Sequence, residues 1–232
     1  MKKMLLLFIM IFLITSGAYS QAKIDFGAEY VSRYIWRGFD LTPDNSPNIQ
    51  PWVNFSFKSG FNFNIWASTP LKNREANDNY LEMDLTLSYS KSLSKVVDFS
   101  AGLIYYALTH MDGFPDDKST TPEFFVSVGN SVLPFSPKIS AFYDTNLGDG
   151  IYIMVSGSKG IPAIPLFNLE VSAGLMDMFG VSGISDLNIG ISKELDIAGY
   201  SVCPRVVFTL IPDSDVNSSN SEFWFGVSLA KK

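Results

Sequence analysis

Charged side chains recur on alternate positions in stretches that are otherwise apolar. In Ile24–Arg37, Asp25, Glu29, Arg33 and Arg37 fall on one set, and Ile24, Phe26, Ala28, Tyr30, Tyr34 and Trp36 on the other. Glu82 and Asp84 alternate in the same way with Leu81, Met83 and Leu85, and Arg205 lies among Val202, Val206 and Phe208. Carboxylates and guanidinium groups gathered on one face of a wall can select passing solutes by charge, or they can pair and fill the space they share. Glu29, Arg33, Arg37, Glu82, Asp84 and Arg205 are therefore the candidate solute-contacting residues. Arg33 and Arg37 are expected to line a constriction together with Glu82 and Asp84. A charge-selective passage and a salt-bridged, filled interior both fit the sequence.

Other chemistry has thinner support. His110 is the only histidine, at the start of an acidic connection, and no serine lies in a distinctive motif. A Ser–His hydrolase needs that pair held by a third polar group, so a lipid-modifying enzyme resting on His110 is a remote alternative and no catalytic residue is assigned. Asp116 with Asp117, and Asp144 with Asp149, could bridge lipopolysaccharide phosphates through a divalent cation, but fit solvated loop charges better. No zinc-ligand spacing or phosphate-cradling loop is present, and neither cofactor nor metal is expected. Trp52 and Trp66, on polar strand faces, are of a type that can stack a sugar or base, join an aromatic girdle, or fill space.

What must position these residues is β-structure. A strand sends successive side chains to opposite faces, so Ile24–Arg37 reads as one strand with an apolar and a charged face. Its fourteen residues would reach about 45 Å, enough to cross a bilayer at a tilt. Eleven more strands follow by the same alternation, ending on Phe223, Phe225, Val227 and Leu229. A lysine or arginine on the lipid side near the midplane costs roughly 2–4 kcal/mol. Turning all the strand charges outward would exceed a domain's stability of about 5–15 kcal/mol, so they are expected to face inward. The expected fold is all-β: a transmembrane, antiparallel, up-and-down β-barrel of about twelve strands. Its backbone cylinder would be roughly 25 Å across, with little free lumen once side chains are added.

The connections sort by charge. Odd ones, such as Phe39–Asn48, His110–Thr121 and Ile211–Asn220, are mostly acidic; every even one contains lysine. This predicts acidic outer loops and short, lysine-bearing periplasmic turns. The outer loops, at most about twelve residues, look too short for a plug. Pro51 and Pro204 fall inside expected strands, where a closed barrel has no free edge, so late strand starts or bulges are expected.

The N-terminus reads as an export signal: Lys2 and Lys3, the apolar run Met4–Ile14, then small residues up to Ser20. The expected division is a cleaved signal over 1–20 and one barrel domain over 21–232. Seventeen basic against 23 acidic residues give a net charge of −6, which argues against nucleic acid as a partner. Cys203 is the only cysteine, so no internal disulfide is available.

The run EYVSRYIWRGFDLTPDNSPNIQPWVNFSF, with Tyr30, Arg37, Gly38 and Gln50, resembles the opening of the Gcw_chp family. AGLIYYAL at Ala101–Leu108, PEFFVSV at Pro122–Val128 and SPKISAFYD at Ser136–Asp144 resemble its later strands. The resemblance implies a monomeric barrel in the outer membrane, in contact with membrane lipid and lipopolysaccharide, and carries over no catalytic residue. The expected function is a narrow channel for small hydrophilic solutes or a structural envelope protein. A soluble, exported, ligand-binding β-sandwich is the main rival.

Overall fold

The computed structural model describes residues 22–42, 45–72, 81–109, 120–164 and 167–231. The proposed signal peptide, His110, Asp112, Asp116 and Asp117 lie outside the described residues. Twelve strands form the wall: β1 Lys23–Val31, β2 Asn48–Ser56, β3 Phe61–Pro70, β4 Leu81–Ser92, β5 Asp98–Thr109 and β6 Thr120–Gly129. The second half is β7 Lys138–Asp144, β8 Gly150–Gly160, β9 Phe167–Met178, β10 Val181–Lys193 with its continuation Leu195–Ile197, β11 Tyr200–Leu210 and β12 Ser221–Lys231.

Each strand pairs antiparallel with the next, and β1 pairs with β12 from Gly27 opposite Ala230 to Val31 opposite Gly226. That last ladder closes the sheet on itself, so the twelve strands make a barrel and not a two-sheet sandwich. Closure leaves no unpaired edge, which is what lets such a wall stand in lipid.

The two-residue alternation sorts the faces as expected. Ile24, Phe26, Phe124, Ile189, Phe223 and Leu229 are exposed on the outside. Gln50, Glu82, Glu123, Ser140, Asp186 and Thr209 are buried although polar. One irregularity adds to the inner set. The β9–β10 register shifts beside Gly174, so that Ser185 is an extra residue in β10. Ser185 and Asp186 are both buried as a result.

Two expectations need correction. Neither Pro51 nor Pro204 starts a strand or forces a bulge. Pro51 faces Ala28 of β1, while on the β3 side the ladder lapses between Ile49–Thr69 and Trp52–Trp66 with no change of register. Pro204 faces Val227 of β12, and the β10 side lapses at Glu194 between Ser192–Arg205 and Leu195–Val202. Each proline spends its missing N–H on a one-sided gap, which is milder than ending the strand.

The larger correction concerns Ile24–Arg37. β1 stops at Val31, and the chain bends at Ser32 and Arg33. Ile35–Trp36 then pairs with Phe39–Asp40, with Ile35 opposite Asp40 and Trp36 opposite Phe39. This small hairpin turns inward. Phe39 packs against a buried cluster of Tyr152 from β8, Met176 and Met178 from β9, and Val216 from the Ile211–Asn220 loop. A core thus forms inside the barrel, with Phe39 and Val216 supplied by connections that were expected to lie outside it.

Candidate functional site in the barrel lumen

The hairpin turns on Arg37 and Gly38, with φ of 50° and 87°. Two consecutive left-handed residues mark a tight two-residue hairpin turn, for which glycine suits the second position. Gly38 is needed for space as well. A Cβ there would lie 2.5 Å from the Ser185 carbonyl oxygen of β10. On the far side of the turn the Asn217 amide donates to the Gly38 carbonyl at 2.8 Å.

Arg37 carries the hairpin across the lumen. Its Nη2 donates to Glu123 Oε1 of β6 at 2.8 Å, and both side chains are buried, at 7% and 1% exposure. The guanidinium carbon lies 4.4 Å from the Trp36 ring centre, 4.9 Å from Phe142 of β7 and 4.2 Å from Tyr152 of β8. Such ring contacts suit a planar cation short of water. The Tyr106 hydroxyl of β5 donates to the same Glu123 oxygen at 3.0 Å. In a ring of twelve strands, β6 to β8 stand opposite β1, so the hairpin that leaves β1 spans the bore.

The other candidate residues are placed as follows. Arg33 bonds Glu222 of β12, not Glu82 or Asp84. Arg205 bonds Glu29 at 2.7 Å and lies 4.9 Å from the Trp224 ring centre. That pair bridges β11 and β1 over β12, at the one strand position, Gly226, where a Cβ would meet Glu29 Oε1 at 2.8 Å. Glu82 is buried on β4. Asp84 is flanked on β3 and β5 by Trp66 and Tyr106. The two arginines thus pair with Glu222 and Glu123 and not with Glu82 or Asp84, while Asp84 lies beside Tyr106, whose hydroxyl shares Glu123 with Arg37. The arginines reach acids on strands far off in sequence instead.

Gly226→Ala is expected to force the Glu29–Arg205 pair apart, destabilising the barrel by about 1–3 kcal/mol as overpacked sites do. The temperature at which the barrel loses its fast migration on unboiled gels measures it. An unchanged temperature contradicts the bridging role.

Glu123, Glu170, Asp186 and Glu222 are inner acids that were not among the candidates. Each sits on the inward parity of its strand, a signal available in the sequence. Asp186 accepts from the Tyr152 hydroxyl at 3.1 Å, Ser185 Oγ at 2.6 Å and Asn188 Nδ2 at 2.7 Å. Asp144 is not a solvated loop charge either. It is buried, and accepts from Thr121 Oγ1 at 2.7 Å and from the backbone N–H groups of Asn146 and Gly148 at 2.9 and 3.0 Å. Its oxygens shape the β7–β8 loop. Trp52 and Trp66 face each other across β2 and β3, and the Trp66 ring lies 5.6 Å from that of Tyr34.

The hairpin divides the interior. On the loop side is an apolar cavity of about 310 Å³, lined by Trp36, Phe39, Leu108, Phe179 and Val216 with Glu82 at its edge. On the turn side is a cavity of about 650 Å³ with a mixed lining, in which Arg37, Lys138, Ser172, Asn188, Arg205 and Thr209 alternate with Met154, Val171, Val207 and Trp224. A third, of about 560 Å³, lies at the turn-side mouth between Lys23, Trp52, Asn64 and Lys231.

A closed wall of twelve antiparallel strands, apolar outside and charged within, defines a porin-like β-barrel of the outer-membrane type. A KdgM porin structure aligns with 90% of this chain and 98% of its own at 8% identity, with a TM-score of 0.62. A KdgM porin in complex with disordered oligogalacturonate aligns over the same shares at 9% identity and a TM-score of 0.57. At such identities the likeness is one of fold. No curated relative matches the sequence. The sequence profile of the Gcw_chp family, described as bacterial protein of unknown function, matches residues 15–207. The chain belongs to that family.

Proposed function

We propose that this protein is a narrow outer-membrane channel for small hydrophilic solutes. Export would follow removal of residues 1–20, and the barrel would work as a monomer surrounded by membrane lipid and lipopolysaccharide. The observation that carries the reading is the cavity of about 650 Å³ below the hairpin, which has charged and polar groups in its wall. Hydroxyl, amide and charged groups stand in its wall among apolar side chains, and such groups are the chemistry of a passage for hydrated solutes. The porin-like fold supports the same class by analogy. A second reading, a filled envelope barrel, draws on the apolar packing of Phe39 against Met176, Met178 and Val216 inside the bore.

Planar-bilayer recording of the purified protein separates the two. Discrete, small conductance steps are expected from the wild type. If neither the wild type nor a variant lacking the Arg37–Glu123 contact carries current, the channel reading fails and the filled barrel stands.

A further inference from the structure

Lys72 apart, every lysine among the described residues lies at the turn end of the barrel. Three of them, Lys91, Lys159 and Lys193, continue the outward, apolar faces of β4, β8 and β10. Their ladder partners share that face: Lys91 is opposite Phe99, Lys159 opposite Leu169 and Lys193 opposite Phe167. Each also has an aromatic neighbour. Phe99 is the one beside Lys91, Nζ of Lys159 is 5.7 Å from the Phe135 ring centre, and Nζ of Lys193 is 4.9 Å from that of Phe167.

Beyond this ring the turns expose aliphatic tips, among them Leu93, Leu133, Ile164 and Ile197. Polar turns in water have no use for such tips. The turn end also exposes Glu194 and Asp196, but its lysines outnumber them, whereas the loop end has the opposite sign, with exposed Asp149, Asp177 and Asp215.

We infer that the turn end is a docking surface for anionic phospholipid headgroups, with Lys91, Lys159 and Lys193 as the phosphate contacts. The inference rests on the membrane location proposed above. Charge complementarity commits it to one occupant. An outward lysine is costly at the midplane but costs little at the interface, where its stem lies along apolar wall and its ammonium reaches the headgroups. The neighbouring phenylalanine rings fit the aromatic girdle that such barrels carry where the apolar band ends. The aliphatic tips add contact with the headgroup region. The result is a barrel held at one depth and in one orientation by the leaflet on its turn side.

The test uses the whole protein in vesicles of phosphatidylcholine alone and of phosphatidylcholine mixed with phosphatidylglycerol. The reading is the temperature at which fast migration on unboiled gels is lost. The anionic lipid should raise it in the wild type by about 2–4 °C for each lysine engaged. In K91Q/K159Q/K193Q the rise should vanish while stability in phosphatidylcholine stays at the wild-type value. Salt at about 1 M, where the screening length is near 3 Å, should abolish the rise in the wild type without any substitution. An equal rise in the triple variant, or none in the wild type, overturns the inference while leaving the channel reading intact. Release of the protein from vesicles by alkaline washing overturns the membrane location, and the inference with it.

Discussion

Arg37→Ala is expected to raise the single-channel conductance severalfold while the barrel stays folded. The side chain closes the only ion pair between the hairpin and the opposite wall among the described residues, to a Glu123 that is 1% exposed. Removing one partner of a buried pair costs roughly 3–5 kcal/mol, because the other charge is left in a poorly hydrated place. The loss falls on the seating of the hairpin and not on the wall, since none of the twelve wall ladders includes Ile35–Asp40. What then holds the hairpin is its own short ladder with the Leu41–Tyr34 backbone bond, the Asn217 bond to Gly38, and the packing of Phe39 and of the Trp36 ring against Tyr106 and Phe179. Glu123→Gln should act in the same direction and more weakly, since an amide still accepts from the guanidinium. The double variant should fall short of the sum of the two, because both act through one contact. Conductance and ion selectivity equal to wild type in Arg37→Ala, with the heat-modifiable band retained, would show that the hairpin does not constrict the path.

Gly38→Val should unseat the same hairpin without touching a charge. Its φ of 87° is strained for any side chain with a Cβ. The added atom would also lie 2.5 Å from the Ser185 carbonyl oxygen, which belongs to the wall and cannot yield much. A left-handed conformation costs about 1–2 kcal/mol outside glycine. Overpacking adds about 1–3 kcal/mol, so docking should be lost outright. Trypsin added from the loop side gives the measurement. The buried Arg37 of the wild type should resist it, whereas Gly38→Val should be cut after Arg37, as the fragment mass shows. Resistance equal to wild type sinks the claim. Gly38→Val and Arg37→Ala arrive at the same loosened hairpin by steric and by electrostatic routes, so agreement between them isolates the hairpin as cause.

The wall was legible because pleating makes the side-chain period two everywhere in a strand, whatever the partner strand is. Alternation in Leu81–Tyr89 or Phe124–Val128 therefore reveals both the element and its lipid side before any pairing is known. The inner acids followed the same parity, and Glu123 and Glu222 were within reach of that rule. The prolines were misjudged because a ladder has two sides and a sequence does not say which one can lapse. Ser185 was hidden for a related reason: a bulge is a property of two strands together.

The first stretch shows where local reading stops. From Ile24 to Trp36 the alternation is nearly unbroken, yet the strand ends at Val31 and the rest folds into the bore. Composition and alternation alone determined a series of amphipathic strands with their charges on one face, because face preference is decided residue by residue by transfer between lipid and water. That the sheet closes was decided by the β1–β12 ladder. The path of Arg37 was decided only by tertiary structure. Its carboxylate lies 86 residues away, and its three rings come from the hairpin and from two wall strands opposite β1. No periodicity within one segment encodes a partner across the lumen. The barrel must close before that seat exists, and once it does, a buried carboxylate ringed by aromatics draws the arginine in.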